Sequence, residues 1–364
     1  MMIPASFYYT VYLFVVLLLT IISLSKYTNK SFVSSRTSVA QSALSRNIAI
    51  LLALYIGFRP LSEVFDDMVG YEELYSRVQD GNGLAILAVG NLNYIFDPIF
   101  ILFASIGLSV DFFFFFIACI YFGGIYWACK RLYPLDTMLA FVTYLGAFST
   151  FSYATNGIKA GAAAALFLVA LSYYKQKRKM ALFLFLTLGF HHAMVIPIAA
   201  CFCSCVIKNR KIFFCWWVVC FVMALLHVTV LMSIFASLTD DHGAEYLQAG
   251  KELIVSGFRI DFIVYSVIPI IVGNFVVRKY DIRSDEFDFL LNTYTMTNSI
   301  FLLCTYGSYI NRMAYLSWLM YSIVLLYPFL NVVWSNKHKQ VKFLKYVVWG
   351  HLGFTLFMIF VYYA

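Results

Sequence analysis

Apolar runs of about 20 residues recur along this chain of 364 residues, and they constrain its fold more than any other feature. A helix of about 20 apolar residues spans the hydrocarbon core of a bilayer. Apolar residues make up 62% of the chain and charged residues only 12%, so a soluble domain could not cover its surface. This composition excludes a soluble enzyme, a disordered chain and a nucleic-acid-binding protein. It predicts an all-α, polytopic integral membrane protein, with residues 1–364 forming a single transmembrane domain and no separate soluble domain.

Ten of the apolar runs are predicted to be full membrane spans. They lie at residues 7–25, 44–58, 111–129, 137–153, 158–174, 211–232, 260–277, 287–305, 312–332 and 342–362. Two further apolar segments do not fit a single upright span. Residues 92–109 carry an Asp-Pro pair, and residues 180–206 are interrupted by His191 and His192. We expect both segments to be broken or re-entrant.

The distribution of Lys and Arg predicts the orientation of the chain, since cytoplasmic loops are enriched in these residues. Six loops hold 20 of the 26 basic residues: 26–46, 130–131, 175–179, 208–211, 278–283 and 337–345. If all six face the cytoplasm, both termini lie outside. Two longer loops, 59–93 and 239–257, then also lie outside. The amphipathic stretch 71–78 in the first of them predicts a short helix on the membrane surface.

Four cations on the predicted outer side lie at the ends of spans: Arg59, Lys159, Arg259 and Arg312. The last three open a helix, where the backbone already presents partial positive charge and favours an anion. This pattern makes sense if an anionic group occupies the site. The competing interpretation is that each cation snorkels to a phospholipid phosphate or pairs with an acidic residue of the 59–93 loop.

Two adjacent histidines, His191 and His192, lie at the predicted helix break. Imidazole can accept a proton near neutral pH, and titratable groups within membrane segments are often functional. Neighbouring helix positions point about 100° apart, so one of the two is expected to face a cavity, and we favour His191. By contrast, His227 and His351 lie within apolar runs and are predicted to be core residues.

No metal or other cofactor is predicted. The eight cysteines lack the paired spacing of a zinc site and are predicted to be apolar residues without disulfides. The sequence Asp240-Asp241-His242 is predicted to be a solvated loop and not a metal site. The phenylalanine run 112–116 is predicted to form one lipid-facing turn of a helix.

Several short motifs, taken in order, resemble those of Wzy-type polysaccharide polymerases, specifically the EpsG-like branch. They are Gly57-Phe-Arg59, Asp67-Met-Val-Gly-Tyr71, Asn156-Gly-Ile-Lys159-Ala-Gly161, the basic turn 175–179, Phe190-His191, and Asn311-Arg312 with Tyr315. Together they cover about residues 50–330. The family usually has Arg-Gln where this chain has Lys159-Ala160. The replacement keeps the charge but loses the bidentate guanidinium fork.

The resemblance implies a glycosyltransferase at the outer face of a bacterial inner membrane. It would transfer a growing glycan from undecaprenyl diphosphate to an undecaprenyl-diphosphate-linked repeat unit, without a metal. Membrane lipid, a chain-length regulator and a flippase are the expected partners, and nucleic acid is not. His191 would be the general base, and Arg59, Lys159 and Arg312, with Arg259, would hold the diphosphate. The implied sugar-binding residues are Asp67, Tyr71, Asn156, His192 and Tyr309, and the alternative role for Asp67 is to orient His191. The small residues 161–165 would allow close helix packing or leave room for a polyprenyl tail.

Three other functions remain open at this stage. A flippase for the same lipid-linked oligosaccharide would also use outer cations, although no internal symmetry of the transporter kind is visible. A metal-dependent membrane glycosyltransferase with a polyprenyl-phosphate sugar donor would use acidic residues of the 59–93 loop. An integral membrane acyltransferase could use His191 as a base, but it would leave the outer cations unexplained.

Overall fold

The computed structural model describes residues 3–27, 35–65, 67–82, 93–232, 235, 258–307 and 310–362. Within these residues the secondary structure consists of helices, joined by turns and bends, with no β-strand. The α-helices, in chain order, are α1 (Tyr8–Ser25), α2 (Ser35–Gly57), α3 (Asp67–Arg77), α4 (Phe96–Ser105), α5 (Val110–Leu132), α6 (Thr137–Leu145), α7 (Thr150–Thr155), α8 (Ile158–Ser172), α9 (Lys177–Phe190), α10 (Val195–Val206), α11 (Arg210–Leu225), α12 (Ile260–Tyr280), α13 (Asp285–Leu303), α14 (Ile310–Trp318), α15 (Tyr321–Leu330) and α16 (Lys337–Phe357).

Six helical segments in the described residues are long and apolar enough to cross a membrane. They are Ala5–Ser25, Ser38–Gly57, Val110–Leu132, Ile260–Tyr280, Ile310–Leu330 and Lys337–Tyr362. Each corresponds to one of the predicted runs, so the expectation of an all-α membrane protein is confirmed. The predicted count of ten full spans is not supported.

The other four predicted runs form helices that fall short of a span for identifiable reasons. Run 137–153 breaks into α6 and α7, of 9 and 6 residues. Helices α8 and α11 have 15 and 16 residues, which rise only about 22 to 24 Å against a hydrocarbon core of about 30 Å. Helix α13 has 19 residues but begins with three acidic side chains and continues through several Asn and Thr residues.

Both segments predicted to be interrupted are interrupted in the structure. Segment 92–109 contains α4, whose 10 residues rise about 15 Å and cannot cross a bilayer alone. Segment 180–206 breaks after α9 at His191, whose backbone is extended (φ −157°, ψ 116°), and resumes in a short turn before α10. Helix α3 confirms the helix predicted at 71–78.

Contacts between residues divide the chain into two compact units. Unit 1 comprises residues 1–191 and 333–364, and unit 2 comprises residues 192–332. The single transmembrane domain, the sidedness of the loops and the position of the termini stay predictions.

Unit 1 is built around α5, which packs against α2 and α8. Glycine makes both contacts close. A Cβ at Gly57 would overlap the Phe115 backbone, and a Cβ at Gly124 would lie 2.9 Å from the Ala165 Cβ. Small residues are the usual means of bringing helices together in a membrane. Lipid tails are as apolar as the helix surfaces, so burial of apolar surface alone adds little stability.

The small-residue run at the start of α8 also serves close packing. A Cβ at Gly161 would overlap the Tyr153 carbonyl oxygen of α7, and the side chains of residues 162–165 are fully buried. The interpretation of 161–165 as a close-packing segment is therefore confirmed for these contacts.

Unit 2 is organised around α13, whose polar side chains are buried. Asn298 accepts a hydrogen bond from the Trp217 indole (2.8 Å) and donates one to the Ser317 hydroxyl (3.0 Å). Trp318 Nε1 donates to Ser266 Oγ (2.6 Å). These bonds satisfy polar groups that would be costly if left unpaired in an apolar interior. The first two tie α13 to α11 and α14, and the third ties α14 to α12.

The adjacent glycines of α5 provide a matched test of the packing. We expect Gly124→Leu to lower the free energy of unfolding by about 1–3 kcal/mol, because the side chain must enter a filled contact with Ala165. Gly123→Leu should cost little, since a Cβ there meets no atom within 4 Å. Thermal melting of both full-length variants in detergent measures the difference. Equal melting temperatures would contradict the α5–α8 packing described here.

Candidate functional site

Arg59 and Lys159, the two predicted outer cations at the ends of spans in unit 1, pack against aromatic rings that contact each other. The Arg59 guanidinium carbon lies 5.0 Å from the centre of the Phe114 ring, and this ring makes an edge contact with Tyr71 (6.4 Å between centroids). The Lys159 ammonium lies 5.9 Å from the centre of the Tyr71 ring. Residues from α3, α5, α8 and the end of α2 therefore meet in one cluster.

Arg59 is buried, with only 2% of its surface exposed. Its Nη1 donates to the Ile56 carbonyl oxygen (2.8 Å) and its Nη2 to the Thr155 carbonyl oxygen (2.7 Å). These carbonyls lie in the last turns of α2 and α7, at helix ends that carry partial negative charge. The Ile56 carbonyl oxygen also accepts the Arg59 backbone N–H (3.4 Å). The guanidinium thus joins the ends of two helices, just before the turn that leads to Lys159.

Burial also affects the charge of Arg59. Desolvation lowers its pKa to about 10, and electrostatic interactions with Tyr8 and Asp111 oppose this shift. The group therefore stays a cation at neutral pH. The described residues include no carboxylate in a salt bridge with Arg59, and its Nε atom is buried without a hydrogen-bond acceptor among them.

Lys159 differs from Arg59 in being accessible. It lies in the first turn of α8, and 32% of its side chain is exposed. Its Nζ atom is 4.0 Å from Asp97 Oδ1, the outer limit of an ion pair, and 5.5 Å from the centre of the Phe96 ring. Asp97 is held in place independently, because its Oδ2 accepts a hydrogen bond from the Asn93 backbone N–H (2.8 Å) at the start of α4.

The aromatic cluster corrects one prediction. Phe113 and Phe114 are 0% and 2% exposed, so the run 112–116 is not simply a lipid-facing turn. Only Phe112, with 51% of its surface exposed, behaves as predicted. The two buried rings pack against α3 and α4 and support Tyr71, which is itself half-buried.

His191 ends α9 beside the same cluster. The Ile95 N–H donates to the Gly189 carbonyl oxygen (2.8 Å), and a Cβ at Gly189 would overlap the Ile95 side chain. The Phe190 ring makes an edge contact with Phe96, at 6.2 Å between centroids. His191 and Asp97 each lie one residue from this ring contact. The close approach of Ile95 explains why the sequence has Gly at 189.

Two other predicted residues of unit 1 lie close by along the chain. Asn156 is half-buried and ends α7, three residues before Lys159. Asp67 is exposed in the first turn of α3, one helical turn before Tyr71.

Unit 2 contains the remaining predicted residues. Arg259 precedes α12 and forms a bidentate pair with Asp261, with Nε to Oδ1 at 2.9 Å, and its guanidinium lies 4.1 Å from the centre of the Phe262 ring. Arg312 is exposed in the first turn of α14. His192 is half-buried in the turn before α10, and Tyr309 lies outside the described residues.

Sequence reasoning missed Asp97 and the rings of Phe96 and Phe114 as parts of the cluster. The pair Asp97-Pro98 did contain a signal, because an acidic residue followed by Pro is typical of a helix start. Asp97 lies near Lys159 because α4 approaches α8. No local sequence pattern reveals this approach, because the two helices are far apart in the sequence.

Other predictions about individual residues have mixed outcomes. No disulfide joins any of the eight cysteines, all of which lie in the described residues, as predicted. His351 is a core residue that contacts the Thr143 carbonyl oxygen (3.2 Å), but His227 is exposed and packs on Tyr306, so its prediction is wrong. Within the described residues, no group of three His, Cys, Asp or Glu side chains could hold a metal ion. Asp240–His242 lies outside them.

Comparison with known proteins adds one finding to this geometry. The family model described as the EpsG family matches residues 42–364, which includes every motif quoted above. No curated protein and no solved structure matches the chain. The match covers most of the chain, so the protein belongs to the EpsG family, a family of Wzy-type polysaccharide polymerase-like membrane proteins.

Proposed function

We propose that this protein is a glycosyltransferase that polymerises lipid-linked repeat units at the outer face of a bacterial inner membrane. The donor is a growing glycan on undecaprenyl diphosphate, and the acceptor is a repeat unit on the same lipid carrier. Family membership supports the class of reaction. The observation that carries the assignment of a site is the accessible Lys159 ammonium at the start of α8, clustered with Tyr71 and Asp97.

The proposed reaction is a single transfer. An acceptor hydroxyl oxygen attacks the anomeric carbon of the donor glycan, and the bond from that carbon to the diphosphate oxygen breaks. The hydroxyl proton passes to His191, and undecaprenyl diphosphate leaves. Negative charge grows on the leaving diphosphate in the transition state. A fixed cation beside the diphosphate therefore stabilises the transition state more than the bound substrate, and this difference lowers the barrier.

Lys159 suits this role because its ammonium is not tightly engaged. The 4.0 Å separation from Asp97 leaves room for a phosphate oxygen to approach the ammonium directly. Asp97 keeps its hydrogen bond from the Asn93 N–H whether or not an anion is bound. The Asp97 carboxylate therefore retains a partner when Lys159 moves toward an anion. The backbone at the start of α8 adds a favourable field for the same anion.

Arg59 has a positioning role in this proposal. Its guanidinium is buried and bonded to backbone carbonyls, so it acts on the site through the end of α7. By fixing Thr155, it fixes the turn that carries Asn156 and leads into Lys159. Asn156, Asp67 and Tyr71 are the proposed contacts to sugar hydroxyls.

In unit 2, Arg312 is the exposed cation that the family resemblance assigns to the same substrate class, with His192 and Tyr309 as proposed sugar contacts. Arg259 is a weaker candidate, because a phosphate would have to displace the bidentate Asp261 carboxylate.

The lipid-linked glycans of cells lacking the protein distinguish polymerase from flippase. We expect a single-repeat species to accumulate on the outer face, because flipping proceeds and polymerisation stops. Extraction of lipid-linked glycans, with surface labelling of intact cells, measures both length and side. The same species trapped inside would support the flippase and contradict the polymerase.

Substitutions of Lys159 test the site itself. We expect Lys159→Gln to reduce polymer formation about 100-fold, the usual effect of removing one group that stabilises transition-state charge. Lys159→Arg should retain activity, because it keeps the charge and adds a guanidinium fork. Lys175→Gln removes the charge of an exposed lysine outside the cluster and is the control. Chain length on gels, at equal protein level, is the measurement, and full activity of Lys159→Gln would exclude the role.

Two further variants test His191 as the general base and Arg312 as the cation of unit 2. His191→Ala and Arg312→Ala should each abolish long-chain glycan while the protein level stays unchanged. Adding a chelator to the wild type should leave the reaction intact, which separates this mechanism from a metal-dependent transferase. A normal polymer ladder from both variants would rule out the mechanism.

A further inference from the structure

A groove runs along one face of α5 at its basic end, outside the cluster described above. It has a volume of about 610 Å³ and is lined by Gly123, Tyr126, Trp127, Lys130 and Arg131. The lining residues recur every three or four positions, so they form one stripe of the helix. Tyr126 contacts Ser42 of α2, and Trp127 contacts Phe183 of α9, so the stripe lies between these two helices.

The groove combines an apolar part with a cationic part. The section of the groove at Gly123, away from the basic end of α5, is open, since no atom lies within 4 Å of a Cβ placed there. Trp127 is 44% exposed beside it. Lys130 and Arg131 close the opposite section, at the end of a membrane-spanning helix. At such helix ends, Trp and Tyr side chains commonly mark the boundary between hydrocarbon and headgroups.

The Arg131 guanidinium is held in a fixed position. Its Nε donates to the Ser172 hydroxyl (3.2 Å), and its guanidinium carbon lies 3.6 Å from the centre of the Tyr173 ring. The Lys179 ammonium lies 5.4 Å from the centre of the same ring. Positive charge is therefore concentrated where α5 and α8 end and α9 begins.

This charge has no protein counterion in the described residues. Between Phe112 and Thr239 the sequence contains one acidic residue, Asp136. Its side chain is 3% exposed and accepts a hydrogen bond from the Tyr27 hydroxyl. No salt bridge among the described residues involves Lys130, Arg131 or Lys179. The cationic end of the groove is therefore open to an anion from outside the described residues.

We propose that the groove binds one anionic phospholipid, with its phosphate between Lys130 and Arg131 and an acyl chain along Gly123 and Trp127. The occupant is a lipid because the groove is apolar where it leaves the cationic end and lies on a membrane-spanning helix. Basic pockets at the ends of such helices select anionic headgroups in this way. The inference is independent of the proposed polymerase activity.

The test uses the full-length protein in detergent with phosphatidylglycerol, phosphatidylcholine or inorganic phosphate added. Native mass spectrometry counts bound lipid, and thermal melting measures the stabilisation. We expect phosphatidylglycerol alone to bind and to raise the melting temperature. Loss of two cations should weaken binding about 25-fold in Lys130→Gln/Arg131→Gln, at roughly a factor of five for each cation.

Two further variants decide between a site and bulk attraction. Lys175→Gln/Arg178→Gln removes the same charge from exposed residues that do not line the groove, and should bind as the wild type does. Gly123→Leu keeps every charge and places a side chain in the groove, at a position where a Cβ meets no atom within 4 Å. It should lose lipid binding, and this test does not depend on whether the variant without Arg131 stays folded.

Each contrary result overturns the proposal. Equal losses in both double variants would mean attraction by net charge, and unchanged binding in Gly123→Leu would mean that the groove is not used. Stabilisation by inorganic phosphate equal to that by phosphatidylglycerol would indicate a phosphate site without a lipid. Absence of any phosphatidylglycerol effect would exclude binding altogether.

Discussion

Close approach of helix backbones is the constraint on which unit 1 depends. Burial of apolar surface contributes little when the surrounding lipid is equally apolar, so helices must gain stability from tight packing and internal polar bonds. Gly57, Gly124 and Gly161 provide this packing, each at a point where a larger side chain would overlap a neighbouring helix. The breaks and short helices around α7 and α8 are possible because these contacts hold them in place.

Arg59 illustrates how packing and electrostatics combine. A buried cation costs free energy unless hydrogen bonds and favourable charge replace water. Here two backbone carbonyls at helix ends and the rings of Phe65 and Phe114 surround the guanidinium. The same contacts bring the end of α2 to the turn before α8. Lys159 is thereby held at the edge of a packed cluster while its ammonium stays accessible, which is consistent with the proposed anion-binding role.

The two ends of α5 carry cations in different settings, and the difference suggests different ligands. Near the start of α5, Arg59 and Lys159 lie among aromatic rings with Asp97 beside them. At its end, Lys130 and Arg131 border an open groove with no carboxylate partner in the described residues. The first setting fits a substrate that must be oriented and released, and the second fits a lipid that remains bound.

The sequence by itself determined the class of the protein and much of the candidate site. Long apolar runs require membrane helices, and the break at His191 follows from polar residues that interrupt such a run. The ordered motifs were sufficient to predict the family. Tertiary structure decided what depends on contacts between distant segments: that 137–153 is two helices, that Arg59 is buried, and that Asp97 lies beside Lys159. Hydropathy reports only whether a segment tolerates lipid, whereas helix length and side-chain accessibility depend on which neighbours pack against it.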